Sequence, residues 1–414
     1  MHATLRRIFN ADDAQEAARR VLPRAVYDFY AGGAEDESSL AHNRVAFQRM
    51  RLCPAVLSGV AEPSLQTPIL GTPARLPLIV APLGAVGFGR RTGDAELARA
   101  ADQAGIPYNL STAATAGIEP IAAASGGRKW FQLYPLRDRA RMWSLVARAQ
   151  AAGYEALVLT VDVPEGGKRE RDLYNDFTMP FRFTPRNVAD FARRPRWALK
   201  MAWHGTPSLV NLAGDGSAGA SSQTSSVGAG FDPGFGWADL LELRRRWTGP
   251  VVVKGILRAT DARRAQDMGV QAVVVSNHGG RQLDGAAAPL DVLPQIRRAV
   301  GSAMELYLDS GIRRGTDILK ALAAGANAVM LGRPVLFGVC IAGEAGAGHV
   351  IRLLADELRR SMVLCGIQST EDIGSEILLT EHQDSPPMGA VTQPRPGAAA
   401  PAAPWGRRPR TAPG

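Results

Sequence analysis

The sequence predicts an α/β protein, a (β/α)8 barrel of the TIM-barrel type with an N-terminal helical extension and a long insertion after its fourth strand. Three observations carry that prediction. Eight short apolar or β-branched runs recur along the chain: LPLIVA (76–81), IPYNLS (106–111), KWFQLY (129–134), ALVLTV (156–161), PVVVKG (250–255), AVVVS (272–276), ELYLDS (305–310) and AVMLG (328–332). Runs this continuous suit strands covered on both faces, as parallel strands are. Between them lie amphipathic helical patterns, such as 94–104, 138–152, 260–268 and 314–324, most of them ending at a helix-stopping Gly. The rival, an open doubly wound sheet, seldom has eight even repeats and usually carries a Gly-rich first turn. No Gly-x-Gly-x-x-Gly follows the first run here.

Residues 1–75 read as helices and irregular chain ahead of the barrel, which is expected to occupy 76–384. The connection after the fourth run, 163–237, far exceeds the ordinary βα loop of about 2–6 residues and so calls for a functional role. It divides into a basic aromatic stretch, FARRPRWALKMAWH (191–204), and a Gly/Ser tract, GDGSAGASSQTSSVGAG (214–230), which reads as a lid or hinge. From 385 to 414, eight of thirty residues are proline, the composition of a disordered tail.

Of the 414 residues, 46% are hydrophobic and 21% charged, which fits a globular protein with a sizeable core and excludes a disordered chain, a collagen-like one or a disulfide scaffold. The net charge of +9 invites a nucleic-acid reading until the charges are located. Residues 181–204 hold six Lys/Arg against one acid, Asp190, and residues 385–414 hold four Arg and no acid. The whole excess lies in these two segments and no nucleic-acid motif is present, so no nucleic-acid partner is expected. Cys53, Cys340 and Cys365 form no Cys-x-x-Cys pair and suit a reducing, cytoplasmic compartment, with no metal site expected. MHATLRRIFN lacks an apolar signal core, and PVLFGVCIAG (334–343) is too short to span a bilayer.

In a barrel the functional side chains project from the C-terminal strand ends. Those ends read Ala81-Pro82-Leu83-Gly84, Ser111-Thr112, Gln132 and Tyr134, Thr160 and Asp162, Lys254, Ser276-Asn277-His278-Gly279-Gly280-Arg281, Asp309-Ser310-Gly311-Ile312-Arg313 and Gly332-Arg333. His278 is the candidate general base, and Asp162 on the same rim can orient its ring; a lone histidine more commonly bonds a loop. Lys254 is either a lysine reaching the rim along its stem or a fixed positive charge facing developing negative charge. Arg281 and Arg169 suit bidentate carboxylate recognition, although Arg169, within KRERD, also fits a solvated charged face. Two glycines and two arginines at the last two strand ends point to a phosphate-bearing cofactor; glycine turns with surface arginines are the plainer reading.

The chain resembles the FMN-dependent 2-hydroxy-acid oxidase and dehydrogenase family over residues 8–380. SNHGGRQLDG (276–285) is the most specific stretch, supported by YDFYAGGAEDE (27–37), WFQLY (130–134), LTVDVPEGGKRERD (159–172), VVVKGI (251–256), DSGIRRGTDILKALAAGA (309–326) and LGRPV (331–335). The resemblance implies FMN as cofactor and oxidation of an L-2-hydroxy acid to the 2-keto acid. It makes His278 the base paired with Asp162, sets Arg281 and Arg169 on the substrate carboxylate, and brings Tyr134 to the hydroxyl oxygen. Lys254 would stand beside the flavin N1/C2=O edge. Ala81, Pro82, Leu83, Gly84, Ser111, Gln132, Thr160 and Ser276 would surround the ring and ribityl groups, and Asp309, Gly311, Arg313, Gly332 and Arg333 the ribityl and phosphate.

One departure matters: the family's Tyr-Asp-Tyr-Tyr reads Tyr27-Asp28-Phe29-Tyr30, which removes a phenol that donates to the substrate carboxylate. With Ala113 in place of a bulky Trp, this leaves room for an apolar or aromatic substrate side chain, and Gly84 is the residue that family dehydrogenases tend to carry. RERDL, RPRWALKMAWHG and SSQTSS resemble mandelate dehydrogenases most, with flavin-type L-lactate dehydrogenases next and oxygen-using hydroxymandelate-type oxidases as the further alternative. The resemblance also implies a homotetramer. A membrane quinone is the expected electron acceptor, with 185–225 lying on an anionic membrane at the cytoplasmic face of the inner membrane, because Trp197, Leu199, Met201 and Trp203 are interleaved with Arg193, Arg194, Arg196 and Lys200. The plainer reading of that insertion is a solvent-exposed helix over the lid. A catalytically dead flavin-binding barrel is disfavoured because His278, Asp162, Lys254 and Arg281 are all present.

Overall fold

The computed structural model describes residues 3–177, 184–212 and 230–379. The tail of 385–414 and most of the Gly/Ser tract therefore lie outside the described residues. Among the described residues there are ten strands: a short antiparallel pair, β1 (Thr67–Ile69) and β2 (Thr72–Ala74), then β3 (Leu78–Leu83), β4 (Tyr108–Ser111), β5 (Lys129–Leu133), β6 (Ala156–Thr160), β7 (Val251–Ile256), β8 (Ala272–Val275), β9 (Glu305–Leu308) and β10 (Ala328–Leu331). Strands β3 to β10 are all parallel to their neighbours and close into a barrel, β10 pairing with β3 through Val329–Leu78 and Leu331–Val80. Each coincides with one of the eight apolar runs.

Side-chain alternation splits these runs between two cores. Ile79, Ala81, Trp130, Val158, Val252, Val274, Tyr307 and Met330 fill the barrel interior. Leu78, Val80, Leu110, Phe131, Leu157, Val253, Val273 and Leu306 face the surrounding helices. The four glycines that close the predicted helices, Gly105, Gly153, Gly269 and Gly325, all take left-handed φ, from 65° to 111°, the conformation that ends a helix without a Cβ penalty.

The N-terminal segment holds one element absent from the sequence reading, the β1–β2 hairpin. It seals the barrel floor: Ile69 joins the interior core, and the Leu70 N–H donates to Glu305 Oε2 at 3.0 Å and to the Tyr307 hydroxyl at 3.2 Å. The pair is too short to show periodicity, so only its tertiary contacts define it. Leu5, Ile8, Ala14, Ala18 and Leu22 share the outer core with the barrel helices.

The insertion is ordered on both sides of its Gly/Ser tract. Helix Pro185–Ala192 begins with a capping box in which Thr184 and Asn187 satisfy each other's backbone N–H groups, and helix Pro195–His204 follows with Pro at its start. Arg333–Cys365 has the length and apolarity of a membrane span, but two-thirds of its apolar window is buried in the fold and the backbone breaks at Ala342–Gly343.

Candidate active site

The strand ends converge on one cleft at the top of the barrel. Its lining includes Phe29, Tyr30, Ala81, Pro82, Leu83, Gly84, Ala113, Tyr134, Thr160, Arg169, Lys254, His278, Arg281, Asp309, Gly311, Arg313, Gly332 and Arg333. Asp162, Ser111, Gln132 and Ser276 stand behind that lining and hold parts of it in place. Asp162 Oδ1 lies 2.9 Å from His278 Nδ1. Ser276 Oγ accepts from Lys254 Nζ at 2.8 Å and from the His278 N–H at 3.0 Å. Ser111 Oγ donates to Gln132 Oε1 at 2.9 Å, and the Thr112 N–H reaches the same oxygen at 3.3 Å.

His278 is held in the left-handed region at φ 57°, unusual for a residue with a side chain. The Ser276 and Asp162 bonds offset that cost and fix the ring. Gly279 and Gly280 continue the turn at φ 67° and 74°, where a Cβ on Gly280 would strike the backbone of Leu40. This is why the turn after β8 carries Gly-Gly before Arg281.

The charges are buried or partly buried and are unevenly paired. Lys254 Nζ sits 2.9 Å from Asp309 Oδ2. Burial alone would push its ammonium down, but Asp309 and Asp162 outweigh that and hold it above its ordinary value. Burial likewise works to raise the Asp162 carboxyl, while His278 and Lys254 outweigh it and keep it below the usual range. Tyr134 is pushed up to about 12, by burial first and then by the Asp162 charge, so its phenol stays protonated.

Among the described residues, the guanidinium groups of three cleft arginines have no carboxylate in hydrogen-bond contact. Arg281 Nη1 donates to the Phe29 and Gly32 carbonyls at 2.7 and 3.0 Å. Arg333 donates to the carbonyls of Tyr30, Gly279 and Gly32. Arg313 gives Nη1 to the Ile312 carbonyl and leaves Nε buried without a partner among the described residues. Burial pulls all three down, Arg313 with help from Arg44 to about 10, Arg281 with help from Arg169 to about 10, and Arg333 well below its ordinary value with Arg281 and Arg313 beside it. Arg313 is buried and Arg281 and Arg333 are partly buried; cations so placed and paired only with carbonyls form a site for an anion.

Arg169 behaves differently. It bonds Asp172 at 2.9 Å, yet its guanidinium still lies 5.9 Å from the Phe29 ring centroid, in the cleft wall rather than on a solvated face. Asp309, expected on the ribityl and phosphate side, is engaged by Lys254 and by the Ser310 hydroxyl at 2.8 Å.

Several cleft residues carry little or no sequence signal. Gln282 clamps the loop behind Asp162 by donating to the Asp162 and Glu165 carbonyls at 3.2 and 2.9 Å. It lies inside the SNHGGRQLDG stretch, which is the only hint. Leu209 and Phe231 enter from the two sides of the Gly/Ser tract, Phe231 stacking on Tyr134 with centroids 4.3 Å apart. Nothing in the local pattern marks a leucine and a phenylalanine so far from the strand ends.

The insertion corrects one expectation. Trp197, Leu199, Met201 and Trp203 do not share a face. Trp197 donates Nε1 to the Phe88 carbonyl at 2.7 Å and packs on Phe191, and Met201 joins it against Val26 and Phe177. Leu199 and Trp203 point outward, 71% and 86% exposed. Residues two apart on a helix cannot face the same way, so interleaving along the sequence becomes separation in space.

The family model for FMN-dependent dehydrogenases matches residues 18–380. The chain belongs to the FMN-dependent dehydrogenase family. It is 41% identical over 374 residues to (S)-mandelate dehydrogenase of Pseudomonas putida, covering 90% of this chain and 94% of that protein. It is 43% identical over 373 residues to an L-lactate oxidase of Nostoc sp., covering 89% and 97%. Among solved structures it superposes with a TM-score of 0.84 on one described as the monotopic membrane protein (S)-mandelate dehydrogenase, at 41% identity over 90% of this chain and 99% of that one. Mandelate oxidase bound to (S)-2-phenylpropionate gives 0.76 at 39% identity, covering 90% and 98%.

As a member of this family the protein is an oxidoreductase that uses FMN, and the cleft fits that group. Gln132 Nε2 and Thr160 Oγ1 are buried with no partner among the described residues. Both belong to the upper barrel wall, where a hydrogen-bonding planar ring would satisfy them. Arg313 and Arg333 supply the cationic pocket that a phosphate requires.

Proposed function

We propose that this FMN-dependent dehydrogenase oxidises an L-2-hydroxy acid with an apolar or aromatic side chain, (S)-mandelate or a close analogue, to the 2-keto acid. Bound FMN supplies the acceptor for the two electrons that leave the substrate α-carbon. The observation that carries the reading is the Asp162–His278 pair at 2.9 Å, in a cleft that also presents Arg281 without a carboxylate contact.

In this reading Asp162 holds the proton on His278 Nδ1, which leaves Nε2 as the acceptor for the proton that the substrate loses. Asp162 then stabilises the imidazolium. Arg281 and Arg169 take the substrate carboxylate, and the protonated Tyr134 phenol donates to the hydroxyl oxygen. Ala81 to Gly84, Ser111, Gln132, Thr160 and Ser276 hold the ring system, with Lys254 as the fixed cation at its edge. Arg313, Arg333, Gly311 and Gly332 hold the phosphate end, and Asp309 keeps Lys254 charged. Anaerobic addition of (S)-mandelate should bleach the visible flavin absorbance of the purified protein. Failure of mandelate, lactate and their homologues all to bleach it would overturn the assignment.

The same reading places the enzyme on an anionic membrane surface through Leu199 and Trp203, flanked by exposed Arg196 and Lys200, with a membrane quinone taking the electrons. The (S)-mandelate dehydrogenase structure described as monotopic supports it. Reoxidation of the reduced protein faster by a quinone than by oxygen is the expected result; the reverse order would favour the oxidase alternative.

A further inference from the structure

We infer that Phe231, together with Leu209, is the wall against which the substrate's side chain packs, and that these two residues select for a bulky aromatic or apolar 2-hydroxy acid. The inference rests on the cleft being a 2-hydroxy-acid site.

Phe231 is buried, lines the cleft and stacks on Tyr134, whose ring in turn lies 6.5 Å from that of His278. Its backbone is locked to the chain that leaves β5. Leu136 and Phe231 form an antiparallel bridge, and Arg137 donates its N–H to the Gly230 carbonyl at 3.0 Å and its Nε to the Phe231 carbonyl at 2.9 Å. The Asp232 N–H returns to the Pro135 carbonyl at 2.9 Å, and the Asp232 carboxylate meets Arg139 at 2.6 Å. Residues 135–137 and Arg139, just after the strand, are thus clamped against residues 230–232 at the end of the insertion. The Phe231 ring is held by the segment that carries Tyr134 and is not free to swing away.

Leu209 is fixed on the other side of the tract. Asn211 Nδ2 donates to the Ala116 carbonyl at 3.2 Å, and Arg141 Nη2 to the Asn211 carbonyl at 3.3 Å. The cleft lining also includes small or slender residues, Ala113, Gly166 and Val163. An aromatic ring on the substrate α-carbon would bury more apolar area against Phe231 and Leu209 than a methyl group would. Rigid apolar walls discriminate by the area they bury.

The test compares kcat/KM for (S)-mandelate and L-lactate in the FMN-loaded full-length protein and in Phe231→Ala, Phe231→Leu and Leu209→Ala. The mandelate-to-lactate ratio should fall at least about tenfold in Phe231→Ala, mainly through KM, and recover most of the way in Phe231→Leu. The affinity of benzoylformate against pyruvate, read from the flavin spectrum, should follow the same order and does not depend on turnover. An unchanged ratio in Phe231→Ala with mandelate still oxidised would overturn this assignment alone. A wild-type protein that oxidises neither acid would overturn the underlying reading as well.

Discussion

The Phe29 ring lies 5.2 Å below the guanidinium of Arg281 and 5.9 Å from that of Arg169. It is wedged there by Phe177, whose centroid is 4.8 Å away. A phenyl ring beneath two cations holds them by its quadrupole but offers the substrate carboxylate no donor. Phe29→Tyr should add one. A hydrogen bond to a charged group is worth about 1.5–3 kcal/mol, so KM for a small acid such as L-lactate should fall by about tenfold or more. An unchanged or higher KM would mean that the ring edge does not reach the carboxylate.

His278 and Asp162 make a sharper prediction because their roles differ. Removing the base in His278→Ala should lower the anaerobic flavin reduction rate by about 10²–10⁴-fold. Asp162→Asn keeps the ring but withdraws the charge that orients its tautomer, so it should also lose rate while retaining bound FMN. Stopped-flow absorbance reads both. A wild-type rate in Asp162→Asn would reduce that carboxylate to a structural contact.

Arg333 donates only to three carbonyls among the described residues, and burial with two neighbouring arginines holds it far below its ordinary value. A phosphate would relieve that. Arg333→Gln should therefore weaken FMN binding by about ten- to a hundredfold, the range expected for one charge-assisted contact. Ultrafiltration with fluorescence of the released FMN measures it. An unchanged dissociation constant would move the phosphate elsewhere.

The eight strands were legible because each is a continuous apolar run, and the chemistry was legible because polar residues end those runs. The β1–β2 hairpin was not, since three residues per strand carry no period and Ile69 is defined by the floor it plugs. Phe231 was hidden for a different reason. It lies 97 positions from Tyr134, and their stacking depends on a clamp between residues 135–137 and 230–232. The apolar residues of 197–203 were visible as residues, but only the helix phase shows that Trp197 anchors the insertion to Phe88 while Leu199 and Trp203 face out.

That division makes the membrane reading testable with point changes. Leu199→Ser combined with Trp203→Ser should release the protein from vesicles containing anionic lipid, because each exposed side chain would lose about 1.5–3 kcal/mol of burial in the interface. Trp197→Phe removes the bond to Phe88 without touching the outer face and should leave vesicle binding intact while loosening the insertion. Co-sedimentation reads the first effect and protease sensitivity of 184–212 the second. Equal vesicle binding by the double variant would sink the docking face.

Asp94 links pH to the turn beside the cleft. Its Oδ2 accepts from the Thr115 hydroxyl at 2.7 Å and the Thr115 N–H at 3.2 Å, and the same hydroxyl accepts from the Gly87 N–H at 2.8 Å. Gly87 belongs to the bend after β3 that presents Gly84 and Ala85 to the cleft. Burial raises the carboxyl from 3.8 to about 6 despite these bonds. The folded state thus favours the protonated form. Its stabilising contribution is complete below the unfolded value of 3.8 and is lost as pH rises through about 6. The loss amounts to about 3 kcal/mol for a shift of this size. Asp94→Asn cannot ionise, so its stability relative to the wild-type protein should climb by that amount between pH 4 and pH 7. Denaturant unfolding of both proteins across that range measures the difference, and a difference that stays flat with pH would show that Asp94 is already charged when folded at pH 4.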